Sequence, residues 1–206
     1  MLFVATNFEI RISVSIEACM NYFMRKVMAV YQRYLGAKLV SLVLFGSRAR
    51  GDASDISDYD LFIVAHDLPA KLWDRQRFLR KPLAPFRESF SIVGRTTEEF
   101  EAALPSLYLD LAVDGIILFD RNNYIAAKFR RIKELIAQAG LKRERIDDEL
   151  MWLWDRPVRP GWELEWEGFV EFAERRCIQA KIGTRNQSCS VALGAAKDEN
   201  RLALSF

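Results

Sequence analysis

Between Ser15 and Gly36 the apolar residues Ile16, Met20, Phe23, Val27, Val30, Tyr31 and Tyr34 recur at helical spacing, with Ser15 suited to the N-cap and Gly36 to the stop. The pattern then becomes continuous. "KLVSLVLFGS" predicts a buried strand ending at Gly46, and "DYDLFIVA" a second strand starting at Asp58. Between them Gly51, Asp52, Ser54, Asp55 and Ser57 supply loop chemistry, with one helical turn after Ser47. Pro69 is placed to open a helix running to Arg80, which Pro82 and Pro85 close. "SFSIVG" predicts a third strand, and "TTEEFEAAL" a short helix capped by Thr96 or Thr97 with acids in its first turn. "LYLDLAVDG" reads as helix and "IILFD" as strand. From Tyr124 the positions Ile125, Phe129, Ile132 and Ile136 mark an amphipathic helix ending at Gly140. This order of elements predicts an α+β or α/β sandwich with a mixed sheet.

Beyond Leu141 the pattern changes. "DELMWLWDRPVRPGWELEWEGF" holds four of the five tryptophans around two prolines and Gly161, which predicts two short strands in a hairpin-like extension. Alternation in "MWLWD" and "WELEW" puts the tryptophans of each segment on one face, suited to packing on the domain or against another protein. Basic residues, which a base-stacking platform would need, are few there and outnumbered by acids. From Ile178 the small residues and weak periodicity predict a loosely ordered tail. The expected division is 1–140 as the main domain, 141–177 as the Trp-rich extension and 178–206 as the tail.

A length of 206 residues fits one domain with additions, at about 150 residues per domain. Lys and Arg number 30 against 28 Asp and Glu, so the net charge of +2 gives no general case for nucleic-acid binding, and any anion site must be local. The basic patches "KFRRIK" and "LKRER" read as solvated helix faces. Cys19, Cys177 and Cys189 are odd in number and lack zinc spacing, which favours a reducing compartment. Glu9 and Arg11 interrupt the apolar start, and no run approaches the roughly 18 apolar residues of a membrane span. A cytoplasmic protein is expected.

The chemistry concentrates in "LFGSRARGDASDISDYDL", residues 44–61. In an extended strand Asp58 and Asp60 share one face with Phe62 and Val64, while Tyr59, Leu61, Ile63 and Ala65 take the other. Paired carboxylates repel and raise each other's pKa unless a cation lies between them. Oxygen-only ligands favour Mg²⁺ or Mn²⁺. Gly46 lets a ligand approach the backbone at the strand end, and the following turn directs N–H groups and the Ser47 hydroxyl toward an anion, for which phosphate is the natural occupant. Arg48 and Arg50 are near enough in sequence to add positive charge. Together these pieces describe a metal-bound triphosphate.

Gly46-Ser47, ten intervening residues and Asp58-x-Asp60 resemble the signature of the DNA polymerase beta-like nucleotidyltransferase superfamily. More narrowly the chain resembles the minimal nucleotidyltransferases (MNT), many of them antitoxin partners of HEPN-domain toxins. The likeness runs from the first helix to "IILFD". It implies an α+β polymerase-beta-like fold, a mixed sheet flanked by helices, with Gly46 and Ser47 on the nucleotide phosphates and Asp58 and Asp60 as catalytic metal ligands. The implied reaction is in-line attack by a hydroxyl on the α-phosphate of a nucleoside triphosphate, ATP being expected, with two Mg²⁺ or Mn²⁺ ions. The implied partner is a HEPN toxin, with no membrane.

Competent members carry a third carboxylate on the neighbouring strand. "SFSIVG" holds no acid, which leaves Glu88 as the nearest substitute. Asp110 and Asp114, on a helix, read as caps or surface charges. Ser57 either orients the carboxylates or ends the loop. The lone His66 reads as a strand-end residue, since no nucleophile lies at recognisable spacing and no Arg precedes it as in the HEPN ribonuclease signature. Three functions stay open: transfer of a nucleotide to a partner's hydroxyl, neutralisation of a toxin by binding alone, and modification of a small molecule such as an aminoglycoside.

Overall fold

The computed structural model describes residues 22–147, 149–155 and 162–171. Ser15, the three cysteines and the 178–206 segment lie outside the described residues. The chain divides into two compact units, Met1–Phe100 with Asp114–Lys128, and Glu101–Val113 with Phe129–Phe206.

The first unit is built on a four-stranded mixed sheet in the order β3-β2-β1-β4, formed by β1 (Leu39–Phe45), β2 (Tyr59–Ala65), β3 (Phe90–Arg95) and β4 (Ile116–Asp120). β1 runs antiparallel to β2 and β4, whereas β2 and β3 are parallel. A parallel pair needs a crossover. Here it is α3 (Leu72–Arg80) followed by a 3-10 turn at Lys81–Leu83. The end of β1, the start of β2 and the start of β3 therefore meet at one end of the sheet.

One face of the sheet buries Leu42, Leu44, Leu61, Ile63 and Ile92 against Met24, Val27, Tyr31 and Leu35 of α1, which covers residues 22–35. Each such aliphatic side chain contributes about 1.5–3 kcal/mol when fully buried. On the opposite face Phe62 meets Phe100 of α4 (Thr97–Glu101), with ring centroids 5.7 Å apart. The Tyr31 hydroxyl donates to the Leu79 carbonyl at 2.8 Å, tying α1 to the last turn of α3.

α3 starts at Leu72, three residues later than the start at Pro69 that the sequence predicts, and ends at Arg80 as expected. Pro69 stays outside the helix because its carbonyl accepts Nε of buried Arg75 at 2.8 Å. Arg75 also donates to the Gly94 carbonyl and, through both terminal nitrogens, to Glu99 at 2.5 and 2.7 Å. Of the two threonines offered as caps, Thr96 serves: its hydroxyl accepts the Glu99 N–H and Glu99 accepts the Thr96 N–H, a capping box.

The second unit contains α5 (Ser106–Asp114), most of α6 (Tyr124–Ala139) and two hairpins. Where two strands were expected there are four: β5 (Leu141–Ile146) pairs with β6 (Glu149–Trp154), and β7 (Trp162–Glu165) with β8 (Gly168–Glu171). "LKRER" is thus a strand and no helix face. Gly140, at φ +64°, turns the chain out of α6, and Leu141 and Arg143 then alternate with exposed Lys142 and Glu144. Asp110 is no surface charge. It accepts Arg143 and the indole N–H of buried Trp152, each at 3.0 Å. Among the described residues no helix is long and apolar enough to cross a membrane.

Candidate active site

Strand register brings the chemistry together. Phe45 at the end of β1 faces Asp60 of β2, and Asp60 faces Ser91 of β3. The next residue after Phe45 is Gly46, in the left-handed region at φ +71°. A β-carbon on Gly46 would lie 2.0 Å from Asp60 Oδ2 and 2.9 Å from its Cγ. Only glycine lets the β1 end and the Asp60 carboxylate approach so closely.

Gly46 opens α2 (Gly46–Arg50), the helical turn expected after Ser47. The Ser47 carbonyl accepts the Gly51 and Asp52 N–H groups at 2.9 and 3.1 Å, which ends the turn. Arg48 then reaches back across the loop, donating Nε and a terminal nitrogen to the Ser57 carbonyl at 3.0 and 2.7 Å, while its guanidinium lies 4.1 Å from the centre of the Tyr59 ring. Arg48 is therefore a tether for the loop that delivers Asp58. The Ser57 hydroxyl braces the loop from within and is bonded to the N–H and hydroxyl of Ser54 at 3.0 Å each.

Tyr59 turns to the face opposite Asp60, into an aromatic cluster with Phe23 of α1 and Phe90 of β3, at 4.9 and 5.6 Å. This anchor fixes which way the β2 side chains alternate. Strand β2 begins one residue later than expected, so Asp58 is the last loop residue and is exposed, whereas Asp60 is half-buried. Burial holds the Asp60 carboxyl above the usual carboxylate range, with the charge of Asp58 adding to the effect. A hydrogen bond from Ser91 and the charge of Arg50 act in the other direction. Two neighbouring acids, one of them half-buried, fit a divalent cation with oxygen ligands.

Glu88 does not join them: among the described residues no group of three or more His, Cys, Asp or Glu is placed to hold a metal. It is exposed and borders an open groove with Arg80, Arg87 and Ser89. His66 follows the far end of β2, about 20 Å along the strand from Asp60 at ~3.3 Å per residue. Sequence reasoning missed Ser91. The signal for it was the alternation in "SFSIVG", which puts Phe90 and Ile92 in the core and Ser91 on the Asp60 face.

Residues 28–140 match the family model described as "Nucleotidyltransferase domain". The chain belongs to that family. The chain is also 31% identical over 141 residues to a Methanocaldococcus jannaschii protein named "Putative protein adenylyltransferase", covering 66% of this chain and 95% of that one. Among solved structures it is similar to one chain of a toxin–antitoxin crystal structure with AMP-PNP, at 21% identity, 56% of this chain, 90% of the other and a TM-score of 0.42. A second is the complex of a tri-AMPylated Shewanella oneidensis HEPN toxin with MNT antitoxin, at 18% identity, 57% and 91% coverage and a TM-score of 0.40.

Proposed function

We propose that this nucleotidyltransferase moves AMP from ATP onto a hydroxyl of a partner protein, with Asp58 and Asp60 as metal ligands and Gly46 and Ser47 as the phosphate contacts. The observation that carries this reading is the closeness of Gly46 to the Asp60 carboxylate, because it seats the acid directly against the backbone of the turn that would meet the phosphates. The M. jannaschii relative named for protein adenylylation supports the choice of AMP. The partner implied by the sequence resemblance is a HEPN toxin, which would make the protein its antitoxin.

In this reading the backbone of the Gly46–Ser47 turn orients the triphosphate, and Asp58 and Asp60 would hold its cation. Arg48 keeps Asp58 in place through Ser57. Mg²⁺ or Mn²⁺, when bound, neutralises charge on the attacking and leaving oxygens. The new bond joins the acceptor oxygen to the α-phosphorus, the hydroxyl proton passes to solvent, the bond from the α-phosphorus to the bridging oxygen breaks, and pyrophosphate leaves with that oxygen.

A second reading has one observation in its favour. Ser91 stands opposite Asp60 on β3 where an acid able to deprotonate the acceptor would stand. That favours a slow enzyme, or an antitoxin acting by binding alone. Incubation of the protein with Mg²⁺, ATP and its HEPN partner, followed by intact-mass measurement of the partner, separates the two. Addition of AMP that is lost in Asp58→Ala and Asp60→Ala supports transfer. An unmodified partner still silenced by the double variant supports binding alone.

A further inference from the structure

Asp60 is flanked on both sides within the sheet. Toward β1 it meets Gly46, which leaves no space for a side chain. Toward β3 it pairs in parallel register with Ser91. Phe90 and Ile92, on either side of Ser91, belong to the core beneath the sheet, as do Leu61 and Ile63. Ser91 and Asp60 therefore project from the same face of adjacent strands. A neutral hydroxyl in that place can donate to one carboxylate lone pair and leave the others for a cation.

We propose that Ser91 is the positioning residue of the site: from β3 its hydroxyl holds the Asp60 carboxylate in the orientation that, with Asp58, grips the cation of the bound nucleotide. The proposal rests on the reading of Asp58 and Asp60 as cation ligands. The place of Ser91 beside Asp60, on the same face of the adjacent strand, supports it, and so does the opposing pull of the Ser91 hydroxyl on the raised Asp60 carboxyl. So does the other flank, where Gly46 presents backbone and no side-chain donor to the carboxylate. Groups that orient metal ligands this way typically change metal affinity by about 10–100-fold when removed.

The test is Mn²⁺ binding, read from the electron paramagnetic resonance signal of free Mn²⁺, with the full chain and a non-hydrolysable ATP analogue. Ser91→Thr keeps the hydroxyl and Ser91→Val has nearly the same shape without it. The expected result is near-native affinity for Ser91→Thr and affinity at least about tenfold weaker for Ser91→Val and Ser91→Ala, with matched melting temperatures for the Thr and Val variants. Native affinity in Ser91→Val and Ser91→Ala, while Asp60→Asn loses binding, overturns the role of Ser91 and leaves the cation site standing. Native affinity in Asp58→Asn and Asp60→Asn overturns the cation site itself, and the role of Ser91 with it.

Discussion

Gly46 and Asp60 occupy one another's space so closely that a β-carbon on Gly46 would fall 2.0 Å from Asp60 Oδ2. The strand end and the acid are thus a single unit. Gly46→Ala must either displace the carboxylate or move the turn, and it places an alanine at φ +71°, which costs about 1–2 kcal/mol. The expected outcome is a folded protein melting a few degrees lower, with Mg²⁺–ATP affinity reduced by at least about tenfold in calorimetry. An unchanged affinity would mean that Asp60 does not face the nucleotide.

Arg48 makes two bonds to the Ser57 carbonyl and covers the Tyr59 ring. Its removal frees the loop that ends in Asp58. In Arg48→Ala, hydrogen exchange of residues 52–58 should rise while the strands stay protected, and the nucleotide transfer rate should fall by about tenfold. Arg48→Lys should restore little, since an ammonium cannot reproduce the flat fork that bonds the carbonyl twice and lies on the ring.

Asp120 works at the other end of β1. One carboxylate oxygen accepts the Ser41 hydroxyl and the Ile125 N–H at 2.9 and 3.0 Å, and the other accepts the Ala126 N–H at 3.0 Å. It caps α6 from the end of β4. Asp120→Ala should lower stability by about 2–3 kcal/mol in denaturant melts. Because Asp120 pairs with Ser41, four residues from Phe45 along β1, Mg²⁺–ATP affinity of the folded variant should not change.

The Arg75–Glu99 pair sets a pH signature. The hydrogen bonds from Arg75 hold the Glu99 carboxyl below the usual carboxylate range. A depressed acid stabilises the fold above its unfolded pKa, about 4.3, and that stabilisation disappears as pH falls through the lower folded value. The melting-temperature gap between the native chain and Glu99→Gln should be constant near neutrality and close below about pH 4. A gap unchanged down to pH 3 would show that the ion pair is not its source.

Local patterns carried most of the fold. The continuous apolar runs of β1 and β2, the T-x-x-E capping box at Thr96 and the helical stripe from Ile125 are properties of neighbouring residues, and they read directly from the chain. What escaped was set by partners distant in sequence. Pro69 failed to start α3 because Arg75 claims its carbonyl. "LKRER" became a strand because β6 pairs with it, and Asp110 turned inward to Arg143 and Trp152, 33 and 42 residues away. The paired acids and Gly46-Ser47 were legible because short spacing defines them. Ser91 was not, because its place beside Asp60 depends on the β2–β3 register.

The most direct measurement is anomalous diffraction at the manganese edge from crystals of the protein grown with Mn²⁺ and a non-hydrolysable ATP analogue. The account requires a manganese peak touching both Asp58 and Asp60, with the phosphates against Gly46 and Ser47. Manganese bound elsewhere, or the two carboxylates surrounded by water while nucleotide occupies another site, would contradict it.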